Sequence, residues 1–346
     1  MKNWKKWLGI VLSGTMMISL AACGGGSDTA SEKKKLVIYT GRDKNVVDTV
    51  VPKFKEKYPD IKVEVLTMGA QQILERVRGE KANPQADFWW GAPQTTLMTA
   101  ADEGLLESYK PSFADKIPTQ YKDAQNRWMG EMLLPEVIMY NSKVLKKEEA
   151  PQDWDQLLDA KYKDKILIRG VLPSGTMRMI YSSMIFRQGA DNPEKGYDWL
   201  KKLDANTKEY TQDPTNLYLK LARQEGSLSV WNLQDIMIQK ELKKMPFDFI
   251  YPKSGAPILV DGVGIVKGAK NADAAKKFYD FLFEENTVQD LSDKFYQIPA
   301  RSDMKQPSWL KGTELKPLNI DWSVMAKKEK EWMQYWDTNI KNKGKK

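Results

Sequence analysis

Short apolar runs alternate with amphipathic stretches through the first third of the chain. Residues 36–39 form a continuous apolar run, which predicts a buried strand, and residues 45–58 place apolar side chains at helical spacing. The same alternation predicts a strand over 62–66, a helix over 71–78 and a strand over 87–90. This order of elements predicts parallel strands joined by helical crossovers.

The remainder of the chain continues the pattern. Further strands are predicted over residues 135–141, 165–168, 227–231 and 258–266, and further helices from Ser174 to about residue 187 and over 272–283. The fold class is therefore α/β. Because a chain of 346 residues is longer than one hydrophobic core usually supports, we expect two lobes.

Ligands of open α/β sheets bind beyond the carboxyl ends of the parallel strands. Residues 40–43, 68–70 and 91–93 follow the first three predicted strands. We therefore expect these three segments to face the binding site.

Residues 1–23 have the parts of an export signal. A short lysine-containing head precedes an apolar run over 7–20, and small residues then lead to Cys23, the one cysteine in the sequence. The run is shorter than the roughly 20 residues that a membrane-spanning helix needs. The segment resembles the lipobox of bacterial lipoproteins, in which the cysteine is acylated, as with palmitate, and becomes the mature N-terminus. We expect a lipoprotein signal peptide over 1–23 and a flexible tether over 24–35; an ordinary export signal with an incidental cysteine is the alternative.

The composition excludes several kinds of catalysis. The chain has no histidine, which removes the commonest general base, the Ser-His-Asp arrangement and histidine-rich zinc sites. A single cysteine used as an anchor leaves no thiol nucleophile, and the sequence has no Gly-rich phosphate loop. Catalysis by carboxylates alone stays open, and Asp213 and Asp235 would serve it in an exported glycan hydrolase. A binding protein rather than an enzyme is the favoured interpretation.

The charge of the chain says little about its ligand. The formal net charge is +8, and the lysines are scattered along amphipathic stretches rather than clustered. This distribution is weak evidence for an anionic ligand and predicts no nucleic-acid partner.

Several segments taken together resemble one family. They are residues 39–41, 86–89 and 154–166, and the strand over 262–265 that is followed by a helix over 274–278. Their order and spacing resemble the extracellular solute-binding proteins of ABC importers, in the branch that contains ferric-ion, phosphonate and sugar-phosphate receptors. The resemblance covers the chain from Leu36 to about Ser302.

The resemblance implies a two-lobed, type II periplasmic-binding-protein-like fold that closes on its solute like a hinged clamp. It implies one lobe of residues 36–135 plus 256–302 and a second lobe of residues 136–255 plus 303–346. We expect a monomer, held by its lipid at the outer face of the cytoplasmic membrane. Its partners would be a small anionic solute and the permease and ATPase subunits of the importer.

Iron-binding members of that branch carry a histidine, a glutamate and paired tyrosines as metal ligands. The matching positions in this chain are Asp43, Ala92, Leu233 and Gln234. Ferric iron needs hard anionic oxygen donors, and at most one of the four ligands is retained. The comparison therefore implies that ferric iron is not bound tightly, and we expect no metal and no cofactor.

The strongest candidate for solute binding is the turn Ser174-Gly175-Thr176, which opens a predicted helix and is followed by Arg178. A helix start offers unpaired backbone N–H groups and the positive end of the macrodipole, and Gly175 would let an oxyanion approach closely. Arg178 could add a bidentate contact to phosphate. The alternative is a well-capped helix with a surface arginine. Sugar-phosphate receptors of the resembled branch carry a similar Ser-Gly-Thr-Met-Arg turn, which favours the functional interpretation.

The rest of the cleft is expected to contact the organic part of the solute, although a purely structural role is the alternative for each residue. The first lobe is expected to form one wall, with the candidates Thr40, Gly41, Arg42, Asp43 and Trp90. The second lobe is expected to form the other wall, with the candidates Asp213, Thr215, Asn232, Gln234 and Asp235. Trp90 or its neighbour Trp89 could stack on a ring, and one of the two must point into the core because strand neighbours face opposite sides.

The sequence thus predicts a lipid-anchored substrate-binding protein of an ABC importer. The favoured solute is a sugar phosphate or a related phosphate ester. A phosphonate or ferric-iron receptor is the alternative within the class, and an exported carboxylate glycan hydrolase is the alternative outside it.

Replacing the predicted lipidation site tests the anchor. Cys23→Ser should release the protein from the membrane or block its processing, because lipoproteins are held by acyl chains and one chain alone gives only marginal binding. Membrane fractionation with N-terminal sequencing is the measurement. A variant that stays membrane-bound and is cleaved at the same point would show that the lipobox interpretation is wrong.

Overall fold

A computed structural model describes residues 34–343 of the chain, which form one compact unit. The predicted signal peptide, Cys23 and most of the predicted tether lie outside the described residues. The strands, in chain order, are β1 Lys34–Thr40, β2 Ile61–Thr67, β3 Phe88–Pro93, β4 Leu106–Glu107, β5 Met129–Asn141, β6 Ile166–Arg169, β7 Thr207–Thr211, β8 Leu228–Asn232, β9 Phe247–Ile250, β10 Ile258–Val266 and β11 Ile298–Pro299. The α-helices are α1 Lys44–Lys57, α2 Ala70–Gly79, α3 Gln94–Asp102, α4 Gly175–Gly189, α5 Glu194–Asn206, α6 Pro214–Ala222, α7 Leu233–Met237, α8 Ala272–Leu282, α9 Glu285–Phe295 and α10 Trp322–Asn339.

The strands follow the order β2-β1-β3-β10-β5-β8-β6-β7. β1 pairs in parallel with β2 and β3, and β6 pairs in parallel with β7 and β8, whereas β10 runs antiparallel to both β3 and β5. We call β1 to β4 with β10 the first half-sheet, and β6 to β9 the second half-sheet. The parallel pairing predicted for the first three strands is therefore confirmed.

β5 belongs to both half-sheets. Its residues 129–135 pair with β10, with one irregularity in the register, and its residues 136–140 pair with β8. β11 and β9 add shorter pairings on the same strand. The chain thus passes from one half-sheet to the other without a break in its strand.

The hydrophobic core has separate parts on the two half-sheets. One cluster, around Phe54, Phe88 and Phe278, packs α1 and α8 onto one face of the first half-sheet, and another, around Trp89 and Leu97, lies on the opposite face. The largest cluster, which includes Trp154 and Trp336, fills the second half-sheet and its helices. This layering is that of an α/β fold with helices on both faces of a sheet.

Most predicted elements are present, but the sequence pattern missed several. β5 begins at Met129, six positions before the predicted strand, and residues Trp154–Leu158 form a short 3-10 turn. Helices α3, α5, α6, α7, α9 and α10 were not predicted. The boundaries proposed for the two lobes stay a prediction. No helix within residues 34–343 is long and apolar enough to cross a membrane.

The close pairing of β5 with β10 leaves no room for a side chain at Gly262. A Cβ atom there would lie 2.5 Å from the Met129 carbonyl oxygen, a backbone atom that has little freedom to move. Gly262→Ala should therefore destabilise the fold by about 1–3 kcal/mol, the usual cost of overpacking. Denaturant unfolding measures the effect.

Gly79→Ala is the matched control, because a Cβ at Gly79 would meet nothing within 4 Å. It should leave stability unchanged or raise it slightly, since glycine is less favourable than alanine in a helix. Equal stability of the two variants would contradict the tight approach of β5 and β10.

Candidate functional site

A cleft of about 600 Å³ lies where the two half-sheets meet. The shared strand β5 contributes Leu134 to its wall, and the start of β10 contributes Leu259, Val260 and Asp261. The remaining lining residues come from loops after strands and from helix starts: Gly41, Gly69, Ala70, Gln71, Gln72, Gly91, Ala92, Pro93, Thr96, Arg169, Leu172, Pro173, Gly175, Thr176 and Arg178. The segments expected beyond the first three strands thus each contribute to the cleft.

The predicted anion turn opens α4 at this cleft. Ser174 is the N-cap, and its Oγ accepts the backbone N–H of Met177 at 3.2 Å. Gly175 and Thr176 line the cleft, and Gly175 approaches Pro93 of the opposite wall, with 3.6 Å between a Cβ built there and Pro93 Cγ. The first N–H groups of the helix therefore point at a narrow part of the cleft.

Two further helices begin at the same cleft. α2 starts at Ala70 and α3 starts at Gln94, directly after the cleft-lining segments that end β2 and β3. Each helix start carries roughly half a positive charge from the aligned peptide dipoles. Three such ends around one cavity favour a small anion there.

Among residues 34–343, Arg169 is the cation that lines this cleft without a carboxylate partner, and it was not among the predicted site residues. It ends β6, donates from Nη1 to Ser174 Oγ at 2.9 Å and lies over the Trp231 ring at 5.7 Å. Within residues 34–343 no carboxylate forms a salt bridge with it, and its Nε is buried without a partner. Burial lowers the pKa of Arg169, since the charged form loses hydration. Ligands were expected beyond the carboxyl ends of the first three strands. The same expectation for β6 would have pointed to Arg169, which ends that strand.

Arg178 lines the cleft as predicted, but its charge is already balanced. Its Nε lies 2.5 Å from Glu329 Oε1 on α10, and its Nη2 donates to Glu329 Oε2 at 3.4 Å. Burial raises the pKa of Glu329, although Arg178 opposes the change. An anion that recruits Arg178 must therefore compete with a carboxylate of the protein itself.

Three residues expected on the first wall are structural instead. Thr40 is buried, and its Oγ1 donates to the Trp90 carbonyl at 2.7 Å. Arg42 is buried in ion pairs with Glu131 and Asp261. The Trp90 ring packs edge-on against Phe278 and donates from Nε1 to Glu131.

Neither tryptophan of β3 can stack on a solute in this structure. Trp89 and Trp90 are both fully buried, in the clusters on opposite faces of the first half-sheet. The alternation expected of strand neighbours is present, but both faces are covered by helices. The proposed stacking role of Trp90 is therefore wrong for this conformation.

Several polar residues predicted to contact the solute make helix caps. Asp43 caps α1 through Asn45, and Asp213 caps α6 through Asn216. Thr215 lies exposed in the first turn of α6. Their contact with solute stays a prediction, and none of them lines the cleft in this conformation.

The segment after β8 is held by its own hydrogen bonds. Asn232 caps α7 by accepting the Asp235 N–H at 2.8 Å, and its Nδ2 donates back to Asp235 Oδ2 at 2.9 Å. Trp231 and Tyr218 donate to the same oxygen at 3.0 and 3.3 Å. Gln234 points away from the cleft, because its Nε2 donates to the Phe295 carbonyl at 2.8 Å. Gln234 therefore joins α7 to the end of α9.

Glu136 on β5 is a further group that the sequence analysis passed over. It is fully buried, and neither carboxyl oxygen has a hydrogen-bond partner. Burial raises its pKa well above the usual 4.5, and the charge of Asp235 adds to the effect. Burial also raises the pKa of Asp235, with a further contribution from Asp43, while the three donors to its Oδ2 favour the charged form.

The positions compared with iron ligands offer no set of metal donors. Asp43 is an exposed cap, while Ala92 and Leu233 are buried and apolar. Across residues 34–343 no group of three or more Cys, Asp or Glu side chains is placed to hold a metal ion.

The sequence of the chain matches one protein family. A family model for the bacterial extracellular solute-binding protein matches residues 92–327, more than half of the chain. The chain belongs to this family.

Named relatives cover most of the chain. It is 26% identical over 287 residues to a probable ABC transporter periplasmic-binding protein of Sinorhizobium fredii, covering 81% of this chain and 79% of that protein. It is 26% identical over 299 residues to iron uptake protein A1 of Synechocystis, covering 81% of both. It is 28% identical over 255 residues to a putative 2-aminoethylphosphonate-binding periplasmic protein of Salmonella typhimurium, covering 72% of both.

Solved structures share the fold. The periplasmic binding protein AfuA from Actinobacillus pleuropneumoniae, with exogenous fructose-6-phosphate bound, gives a TM-score of 0.78 at 28% identity, covering 89% of this chain and 99% of that one. A ferric binding protein from Campylobacter jejuni gives 0.78 at 24% identity, covering 88% and 98%, which bears on the fold alone.

These findings define the protein as a solute-binding protein of an ABC importer, working on the extracellular or periplasmic side with a permease and an ATPase. Its fold is the two-lobed α/β fold of periplasmic binding proteins. Its relatives are transport proteins rather than enzymes, so the glycan hydrolase alternative is not supported.

The burial of Glu136 predicts a specific pH dependence of stability. Its pKa is higher in the folded state than in the unfolded state. The contribution of Glu136 to the free energy of unfolding is therefore highest at low pH, where Glu136 is protonated in both states, and it falls as pH rises from about 4.5 towards the folded pKa. Glu136→Gln does not titrate. The free energy of unfolding of Glu136→Gln, measured relative to that of the parent protein, should therefore increase with pH by at most about 1.4 kcal/mol per pH unit.

Denaturant unfolding at a series of pH values checks this expectation. Adding Asp235→Asn to both proteins removes the neighbouring charge and should reduce the pH dependence. A difference between Glu136→Gln and the parent that stays constant from pH 4.5 upwards would contradict the assignment.

Proposed function

We propose that this chain captures a small phosphorylated solute, a sugar phosphate or a related phosphate ester, and delivers it to an ABC permease. The phosphate would bind at the start of α4, between Gly175 and Thr176 on one wall and the segments at Gly69 and Gly91 on the other. Arg169 would supply the charged contact.

The observation that carries the proposal is the meeting of three helix starts and one unpaired arginine at a single cavity. Backbone N–H groups bind an oxyanion without the desolvation cost of a second buried charge. Arg42 and Arg178 are already paired with carboxylates. Among the cleft-lining residues that the structure describes, Arg169 is then the cation that remains for an anion. A cavity of about 600 Å³ is within the range of small-molecule sites.

A phosphonate is the second candidate, because its three oxygens would meet the same N–H groups. The Salmonella relative described as a putative 2-aminoethylphosphonate-binding protein favours this candidate. Ferric iron is less well supported, because the positions aligned with its ligands include Ala92 and Leu233.

We further propose that the protein is a monomer anchored by lipid at Cys23, on the outer face of the cytoplasmic membrane. The sequence of residues 1–23 supports the anchor, and the tether would let the receptor reach its permease.

A screen for thermal stabilisation by phosphorylated metabolites, followed by calorimetry, tests the solute class. A ligand at 100 times its dissociation constant should stabilise the protein by about 2.7 kcal/mol. Glucose 6-phosphate and other esters should be compared with their unphosphorylated parents. Equal affinity for an ester and its parent would mean that the α4 turn is only a helix cap.

The two arginines should differ in their effect on binding of a phosphate ester. Arg169→Ala should weaken it by about 1.5–3 kcal/mol, the range for hydrogen bonds to charged groups. Arg178→Ala should cost less, because Glu329 already neutralises that side chain. Glu329→Gln should strengthen binding, since it frees Arg178. Calorimetry on all three variants measures this order, and a larger loss for Arg178→Ala would reverse the assignment.

A further inference from the structure

The buried carboxyl of Glu136 has no partner in the structure. Among residues 34–343 it is the carboxyl whose two oxygens are both buried and both without a hydrogen-bond donor. Buried polar groups are almost always satisfied, and an exception calls for a missing partner such as a ligand, an ion or a water molecule.

Glu136 lies on the same face of β5 as a residue of the cleft wall, and its own side chain is fully buried behind that wall. Side chains two residues apart on a strand share a face, and Leu134, two residues earlier, lines the cleft wall. In the register with β8, Glu136 lies opposite Asn232, whose Nδ2 bonds Asp235. Glu136 and Asp235 are therefore neighbouring carboxyls beside the cleft.

Among the residues that the structure describes, no cation donates a hydrogen bond to either carboxyl of this pair. The groups that donate to Asp235 Oδ2 are neutral: an indole N–H, a side-chain amide and a phenol. Arg169 is close enough for its charge to act on Asp235, but its Nη1 donates to Ser174. Within residues 34–343 neither Glu136 nor Asp235 forms a salt bridge.

We propose that Glu136 and Asp235 form a subsite for a protonated amino group of the solute. The inference rests on the proposed function, because the phosphate of the same solute would bind at α4. The solute class is then a zwitterion, with an oxyanion at one end and a primary ammonium at the other. An ammonium has three donors, and a hydroxyl has one, so the ammonium can supply charge to both carboxyls and hydrogen bonds to both.

The raised pKa of both carboxyls is the state expected of this subsite without its cation. Binding of an ammonium would favour the charged carboxylates, and the protein would release a proton on binding.

Two matched pairs of probes test the subsite by calorimetry: glucosamine 6-phosphate against glucose 6-phosphate, and 2-aminoethyl phosphate against ethyl phosphate. In at least one pair the amine should bind about tenfold or more tightly than its counterpart. Titration in buffers of different ionisation enthalpy should detect the released proton. Equal binding within each pair, or tighter binding of the glucose or ethyl ester, overturns the inference.

Glu136→Gln and Asp235→Asn should each reduce the preference for the amine about tenfold, and both keep the size of the original side chain. Thermal unfolding of each variant establishes that it is folded. Glu329→Gln is the matched control, because it changes a buried carboxyl that already has a cation, Arg178. It should shift both members of a pair equally. A preference unchanged by Glu136→Gln would assign Glu136 a structural role and overturn the inference.

The outcomes also separate the inference from the proposed function. A phosphate ester that binds more tightly than its unphosphorylated parent, with no preference for an amine, overturns the ammonium subsite and leaves the phosphate site intact. Failure of every phosphate ester to bind overturns both.

Discussion

The continuity of β5 is the constraint on which the rest of the structure depends. Its first part is bonded to β10 and its second part to β8, so both half-sheets share one backbone. Separate clusters of apolar side chains then complete a core on each side. The cleft forms where the strand leaves one sheet for the other, because neither sheet covers that point. Leu134 and Glu136, next to each other on one face of β5, lie at this junction of the two half-sheets.

The positive character of the cleft comes mainly from the backbone. Arg42 is bound by Glu131 and Asp261, and Arg178 by Glu329, so the side-chain charges near the cleft largely cancel. Helix ends keep their partial charge because it is fixed by the peptide dipoles. If the proposed anion site is correct, it would select for the shape of an oxyanion that fits the N–H groups, more than for charge alone.

Local patterns in the sequence were sufficient for most strands, for α4 and for its cap at Ser174. Hydrophobic period and capping chemistry act within a few residues, so they can be read from the chain. Some residues whose surroundings the sequence did not reveal have partners far away in sequence. Gln234 bonds Phe295, 61 positions away, and Arg178 meets Glu329, 151 positions away. No local sequence pattern around those residues could show that their side chains already had hydrogen-bond or ion-pair partners.

The links between the halves away from β5 and β10 include contacts to neutral acceptors. Thr95 of α3 donates to the Met179 sulfur of α4 at 3.6 Å, and Gln234 of α7 donates to the carbonyl that ends α9. A hydrogen bond of this kind contributes only about 0.5–1.5 kcal/mol. A bound solute that contacted both walls would add to these weak links, and its own contacts would then set much of its residence time. A receptor of this kind would keep its solute bound in dilute surroundings and would still release it quickly when docking to the transporter separates the two walls.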